Sequence, residues 1–599
     1  MRAVHFRMIL RGFIPLILIA TLPALASASD PEPQATASQP TRPPELTPED
    51  KARVEELGKA IRSLRQQGKN SEAISSFEEL LAIHRRVGES SLGLARALEL
   101  YAESLLGCAE FERAERAARE SLAIRLKLVG DEHLESARAY MVVGRVAAER
   151  GDYVQAEVCW RRTLTVRRNL LGQDHLDVAR ITDNLAGVLR AQGKFAEGEA
   201  LCRDAVRVFQ AQLGEHPDVA YALNNLGSFL VDKGDYAGAE KVLRESLDIL
   251  RAVQGNEHPA VAAGLSNLAI VLQHRAQYAP AENAFREALA IRRRALGPDH
   301  PSVALTLSSL AVLLRTKGDL EGAEALAREA FEIERRRLGE SHPQIGVTLN
   351  LLATLAQDRF DFPAAQALFE ESLALRQRLL GEHPDVATTL QGLGKLAALR
   401  GDNSSAEGFF RQALDLYSRI LGDSHSFVAE CLRDLAATLE RKPDEDSLKE
   451  AHRAYQRAIA IERQHEEPTL PNICARYARF LDRRCNRPED SISLYQEAIE
   501  RIDWLRVQIS GDELDRSRYF TTLSSDEPFG GLARARLKMG ARDEAPNSSE
   551  SSAAGAFNAI ESGRGRSLLD LLDRGPSDVF SLAQLRAERD TNQSFLMRV

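Results

Sequence analysis

The sequence predicts an all-α fold, a right-handed α-solenoid in which helix–turn–helix repeats stack into a superhelix. Three observations predict it. The octapeptide LGEHPDVA occurs twice, at 213–220 and at 380–387. Histidines equivalent to the one it contains recur as His133, His175, His216, His258, His300, His342, His383 and His425, in steps of 42, 41, 42, 42, 42, 41 and 42 residues. Finally, 28% of the chain is charged and only 6% aromatic. Ala, Leu, Glu and Arg dominate, and these side chains favour helix because they lose little rotamer freedom there. Self-similarity at a fixed period of this size is the mark of stacked supersecondary units.

The first residues are of another kind. Arg2, Arg7 and Arg11 precede the short apolar run FIPLILIATLPAL, and ALASASD supplies small residues suited to cleavage. That is the layout of a secretory signal peptide over 1–28. With Pro15 and Pro23 inside it, the run is short for a transmembrane helix. The expectation is therefore export to a periplasmic or extracellular space, with an uncleaved membrane anchor as the alternative. Residues 29–48 are rich in proline and predict a disordered linker. The six cysteines of an exported chain raise the question of disulfides. Cys159 and Cys202 sit in corresponding helices of neighbouring repeats, while Cys474 and Cys485 are too far apart along one helical stretch to bridge; the expectation is that the six are small buried helix residues.

The repeat HPDVAYALNNLGSFLVDKGDYAGAEKVLRESLDILRAVQG shows how each unit is built. Pro217 suits the first position of a helix. Val219, Leu223, Leu226 and Leu230 recur at helical spacing until Gly234 ends the element, and Ala239, Val242, Leu243 and Leu247 mark a second helix. Gly144, Ala186, Gly227, Ala269, Ala311, Ala353, Gly394 and Ala436 fall at one equivalent place in the first helices. That place is expected to let two helix backbones approach closely. The histidines sit just before each first helix. Stacked helices lie about 8–10 Å apart, too far for histidines of neighbouring units to share an ion that needs nitrogen at about 2 Å. They are expected to cap or brace the turn, and no metal site is expected.

The pattern resembles the tetratricopeptide repeat, specifically the 42-residue variety of kinesin light chains. HPDVAYALNNLGSFLVDKGDYAGAE and HPAVAAGLSNLAIVLQHRAQYAPAE carry the resemblance. Degenerate units are expected over 49–129, the regular array over 130–440 and further degenerate units over 441–510, about eleven helix pairs in all. The resemblance implies a concave groove lined by first helices, where asparagines of the LNNLA segment hold the backbone of an extended peptide. The matching residues are Asn184, Asn224, Asn225, Asn267 and Asn350, with Gln391 at another level. One helical turn away lie Arg180, Arg190, Tyr221, Arg315 and Lys395, interleaved with Ile270, Leu305 and Val312. Side-chain amides donate and accept at once, so they satisfy a peptide main chain without dictating its sequence; in the same places they can equally bond neighbouring helices. The mixed lining favours a protein or peptide segment of some acidic character. Nucleic acid would call for a denser positive stripe, and the net charge of −9 is spread along the chain.

Beyond about 505 the period is lost. Residues 511–575 read as two helical segments around a break, and AFNAIESGRGRSLLDLLDRG resembles the junction that follows such repeats in bacterial proteins bearing a CHAT-type, caspase-like peptidase domain. The remaining 576–599 read as the start of a domain cut short. No cysteine follows Cys485 and no histidine follows His465, so thiol catalysis, which needs both in contact, has no residues there. No GxxxxGK[ST] loop, HExxH site or GxSxG elbow occurs. The sequence thus predicts a non-enzymatic interaction scaffold without cofactor. The alternative is the regulatory half of a TPR–CHAT protease. The sequence leaves the oligomeric state open.

Overall fold

Helices stacked in pairs make up the computed structural model, which describes residues 47–66, 70–87, 91–108, 110–465, 469–509 and 528–542. The pairs are α1 (Pro48–Gln66) with α2 (Asn70–Val87), α3 (Leu92–Leu106) with α4 (Phe111–Val129), and α5 (Leu134–Glu149) with α6 (Tyr153–Leu171). Next come α7 (Leu176–Ala191) with α8 (Phe195–Leu213), α9 (Pro217–Asp232) with α10 (Tyr236–Gln254), and α11 (Pro259–His274) with α12 (Tyr278–Leu296). They continue as α13 (Pro301–Lys317) with α14 (Leu320–Leu338), α15 (Pro343–Asp358) with α16 (Phe362–Leu380), and α17 (Pro384–Leu399) with α18 (Asn403–Leu421). The last are α19 (Ser426–Leu439) with α20 (Glu445–His465), α21 (Leu470–Arg483) with α22 (Pro488–Gln508), and a final helix α23 (Pro528–Arg542). The predicted signal peptide, the tail 576–599 and the peptidase-like junction stretch lie outside the described residues. So does the predicted linker, apart from its last two residues, and α1 begins at Pro48, inside its predicted bounds.

The punctuation of the repeat explains why these residues form these elements. Each of the eight histidines is an N-cap in extended conformation whose Nδ1 accepts the backbone N–H two residues on, at 3.1 Å in His216 and 3.2 Å in His258. An unpaired N–H at a helix start is thereby satisfied. Most second helices open on an aspartate cap instead; the Asp235 carboxylate accepts from Gly238 N–H at 2.8 Å. Each second helix of the array ends in a glycine of positive φ, such as Gly255 at 80°, which only glycine adopts cheaply.

Packing then joins the units. Every helix touches its partner and the next pair. Most first helices also approach the first helix of the next unit closely, whereas successive second helices reach one another through long side chains, as Arg251 does to Glu287 at 2.9 Å. That asymmetry bends the stack and puts the first helices on the inner, concave side. At Ala186 the two helices come close backbone to backbone, its carbonyl 3.2 Å from a Cβ built on Gly198, but at the three glycines of this position the neighbour is a side chain. A Cβ at Gly144 would stand 2.6 Å from the Trp160 ring, one at Gly227 2.9 Å from Leu243, and one at Gly394 2.7 Å from Phe410. A large side chain from the second helix, not a second backbone, is what fills the gap. In several units a buried arginine ties the second helix to the following unit: Arg292 donates to the Ser302 carbonyl at 3.1 Å and Arg376 to the Asp385 carbonyl at 2.8 Å. All six cysteines are free thiols. Cys159, Cys202, Cys431 and Cys474 are buried as expected, but Cys108 and Cys485 are only half-buried, because both lie near the ends of first helices.

The stack also meets itself. Gly151, in the turn between α5 and α6, lies against His383 at the start of α17, and Gly193, between α7 and α8, lies against His425 at the start of α19. Tyr153 packs onto the cluster containing Val386 and Leu390. Further along, Ile509 belongs to the same buried cluster as Ala276 and Tyr278. The superhelix therefore completes a turn and seats its upper coil on the lower one.

Candidate functional site

Two polar ladders run along the inner face from one first helix to the next. In the first, Asn225 donates to Asp183 at 2.7 Å, Asn267 to Asn224 at 3.2 Å, and Gln391 to Asp434 at 2.8 Å. The second lies about two helical turns on. There Arg190 pairs with Asp232 at 2.5 Å, Gln273 donates to Thr316 at 3.3 Å, and Arg315 pairs with Asp358. Each pair joins residues one repeat apart, displaced by a single position, because the superhelical twist offsets equivalent residues slightly.

The sequence-predicted residues divide into two sets. Asn224, Asn267, Arg315, Asn350, Gln391 and Lys395 are buried. Asn224 also donates to Ser246 at 2.6 Å, Asn350 donates to Thr389 at 3.0 Å, and Lys395 lies 3.2 Å from Asp434. Around them the inner face is covered: every residue of α11 from Ala260 to His274 is buried, as are Ile270 and Val312. Arg180, Asn184, Arg190, Tyr221 and Asn225 keep solvent access. Arg180 has 40% of its side chain exposed while bonding Asp218 and Asp177, each at 2.8 Å. Among these residues the inner face is thus open along α7 and the start of α9 and covered from α11 onward except at Leu305, which is half-buried.

Electrostatics follow burial. Burial pushes the Asp183 carboxyl up to about 6, even with Asn225 donating to it. Burial alone would raise Asp434 too, but Lys395 and Arg433 beside it, with Gln391 donating, hold it well below the usual carboxylate range. Among the described residues no three His, Cys, Asp or Glu side chains gather as metal ligands, and no helix is long and apolar enough to cross a membrane. Sequence reasoning missed the acidic halves of the ladders, Asp183, Asp232, Asp358 and Asp434. Their signal was present, since each sits one repeat from a named residue give or take one position.

Tetratricopeptide-repeat models match residues 135–211, 177–252, 218–294, 261–336 and 344–419, and a second such model matches 94–135. The chain belongs to the tetratricopeptide-repeat family. Solved structures similar to this tetratricopeptide-repeat chain include a putative kinesin light chain from Podosopora anserina with nearly identical TPR-like repeats. It is 24% identical, covers 34% of this chain and 97% of its own, and has a TM-score of 0.30. BtubC (BKLC) from P. vanneervenii is 23% identical over 39% of this chain and 92% of its own, with a TM-score of 0.32. Yeast Tom70 is 14% identical over 83% and 98%, with a TM-score of 0.41. Among curated proteins none matches.

Proposed function

We propose that this tetratricopeptide-repeat chain is a non-enzymatic scaffold that binds a protein or peptide segment along the inner faces of α7 and α9. The observation that carries this reading is the contrast within the inner face. Arg180, Asn184, Arg190, Tyr221 and Asn225 remain partly open to solvent, while polar residues at the same levels further along, such as Asn267 and Gln391, are buried in bonds between repeats. A segment lying there meets amide and guanidinium donors that accommodate main-chain carbonyls and carboxylates. Asn225 and Arg180 already hold Asp183 and Asp218, so an acidic segment would compete with the chain's own carboxylates. Binding of a random peptide library tests the site: Arg180→Ala with Asn184→Ala should lose binding, and Asn267→Ala, at a covered level, should keep it. Equal binding by all forms removes the site.

The regulatory reading, a sensor half of a caspase-like protease, rests on residues 556–575, outside the described residues. A neighbouring reading frame with a His and Cys pair among alternating strands would favour it, and unrelated neighbouring sequence would count against it. Export is proposed from the charged, apolar and small-residue order of the first 28 residues, and recovery of a processed chain from the exported fraction tests it.

A further inference from the structure

One position in each of the seven units from α5 to α18 reports whether the turn after the first helix is covered. It is occupied by Gly151, Gly193, Gly234, Ala276, Gly318, Phe360 and Gly401, all with positive φ. The first four are buried and the last three exposed, Phe360 at 70%. The division follows from the coil. Gly151 and Gly193 lie under His383 and His425, and Ala276 shares a cluster with Ile509. A Cβ at Gly318 or Gly401, by contrast, meets nothing within 4 Å. The edge formed by the turns after α13, α15 and α17 is therefore an upper rim with the same shape as the rim that already seats a coil.

Phe360 is the exception on that rim. Its φ of 64° lies where a bulky side chain is strained, and its ring stands edge-on to Phe362 with centroids 6.1 Å apart. Strain and exposure together at an aromatic residue are retained where the side chain has something to cover it.

We propose that residues 543–599 of this same chain seat on that rim, with Phe360 as the anchor. The order of contacts leads there. Successive turns along the lower coil meet successive segments of the upper one, ending with Ile509 in the cluster of Ala276. The helix α23 then packs along α22 and touches α21, as each first helix does with the pair before it. With α23 the superhelix continues past α22 in the same sense, toward the turns after α13 and α15, and residues 543–599 are the sequence that follows. This inference is independent of the groove reading.

The full chain carrying Phe360→p-benzoylphenylalanine tests it by photo-crosslinking and mass spectrometry. The expected product is an intramolecular link to a residue between 543 and 599. A link to a second copy, to another part of this chain, or no protein link at all would overturn the proposal. A second variant guards against a folding artefact. Phe360→Gly keeps the positive φ and removes the ring, so thermal unfolding should be unchanged or raised. Proteolytic cleavage within 543–599 should become about tenfold faster, because cleavage tracks the undocked population. Unchanged cleavage would also sink it.

Discussion

His383 and Gly151 lie face to face across two coils of the superhelix, and a Cβ on Gly151 would stand 2.5 Å from His383 Cδ2. The imidazole cannot swing aside freely, since its Nδ1 accepts from the Asp385 N–H at 3.1 Å as the cap of α17. Together with Gly193 against His425 and Tyr153 against the Val386 cluster, this contact makes the stack a closed coil rather than an open arc.

Gly151→Ala should therefore cost more than Gly401→Ala. The two glycines occupy the same place in their repeats, with φ of 78° and 83°, so both substitutions pay the strain of a side chain at positive φ. Only Gly151 also meets the upper coil. The difference between the two, read by urea unfolding, is expected to be about 1–3 kcal/mol, the range for overpacking. Small-angle scattering should show the Gly151→Ala chain larger than the parent. Equal costs and equal sizes would mean that the coils do not touch.

Gly144→Ala should destabilise by about 1–3 kcal/mol, although five equivalent positions already carry alanine. A Cβ on Gly144 would stand 2.6 Å from the Trp160 ring, which is pinned by its Nε1–H donating to the Met141 carbonyl at 3.1 Å. Trp160→Leu in the same chain should make Gly144→Ala nearly harmless. A double-mutant cycle reads this directly, and strict additivity would contradict it.

The helix pairs were legible in the sequence because each is written locally, by a histidine or aspartate that caps it, a small residue at its crossing and a glycine that ends it. Half of the inner face was legible too. Asn225 and Asn267 were found as polar residues at one level, but a sequence does not show whether an amide points into a groove or towards the carboxylate one repeat away. The coil-to-coil contact left no such trace. His383 has the same neighbours in sequence as His216, yet His216 has a side chain 44% exposed and His383 one 12% exposed. The difference comes from residues more than five repeats away.

Glu334 sets an alkaline limit on stability. It sits where neighbouring repeats carry Arg292 and Arg376, fully buried and accepting from the Thr348 hydroxyl at 2.6 Å, and burial pushes its carboxyl up to about 8. With the folded value above the unfolded one, the folded chain holds a proton that the unfolded chain releases. Its contribution is fully present below about 4.5 and is lost as the pH rises through about 8. Glu334→Gln, which keeps the shape and cannot ionise, should flatten that decline in urea midpoints between pH 5 and pH 9. An unchanged slope would place the effect elsewhere.

His383 sets the acid limit, with the opposite sign. Burial lowers its pKa; the Asp385 carboxylate, 3.9 Å from Nδ1, opposes the shift and Arg376 adds to it. The upper surface of the ring meets Gly151, which offers no acceptor from a side chain. As the pH falls below about 6.5 the unfolded chain takes up a proton that the folded one refuses, so stability present above that value is lost through the depressed one. Because Nδ1 accepts the Asp385 N–H, Nε2 already carries the ring hydrogen, so the added proton goes to Nδ1, breaks the cap of α17 and loosens the end of the helix that rests on Gly151. His383→Asn retains a residue that caps helices well and removes the titration. Between pH 7.5 and pH 5 the parent chain should lose unfolding midpoint and grow in radius, and His383→Asn should change much less in both. If the two chains respond to acid alike, the histidine is a cap and nothing more.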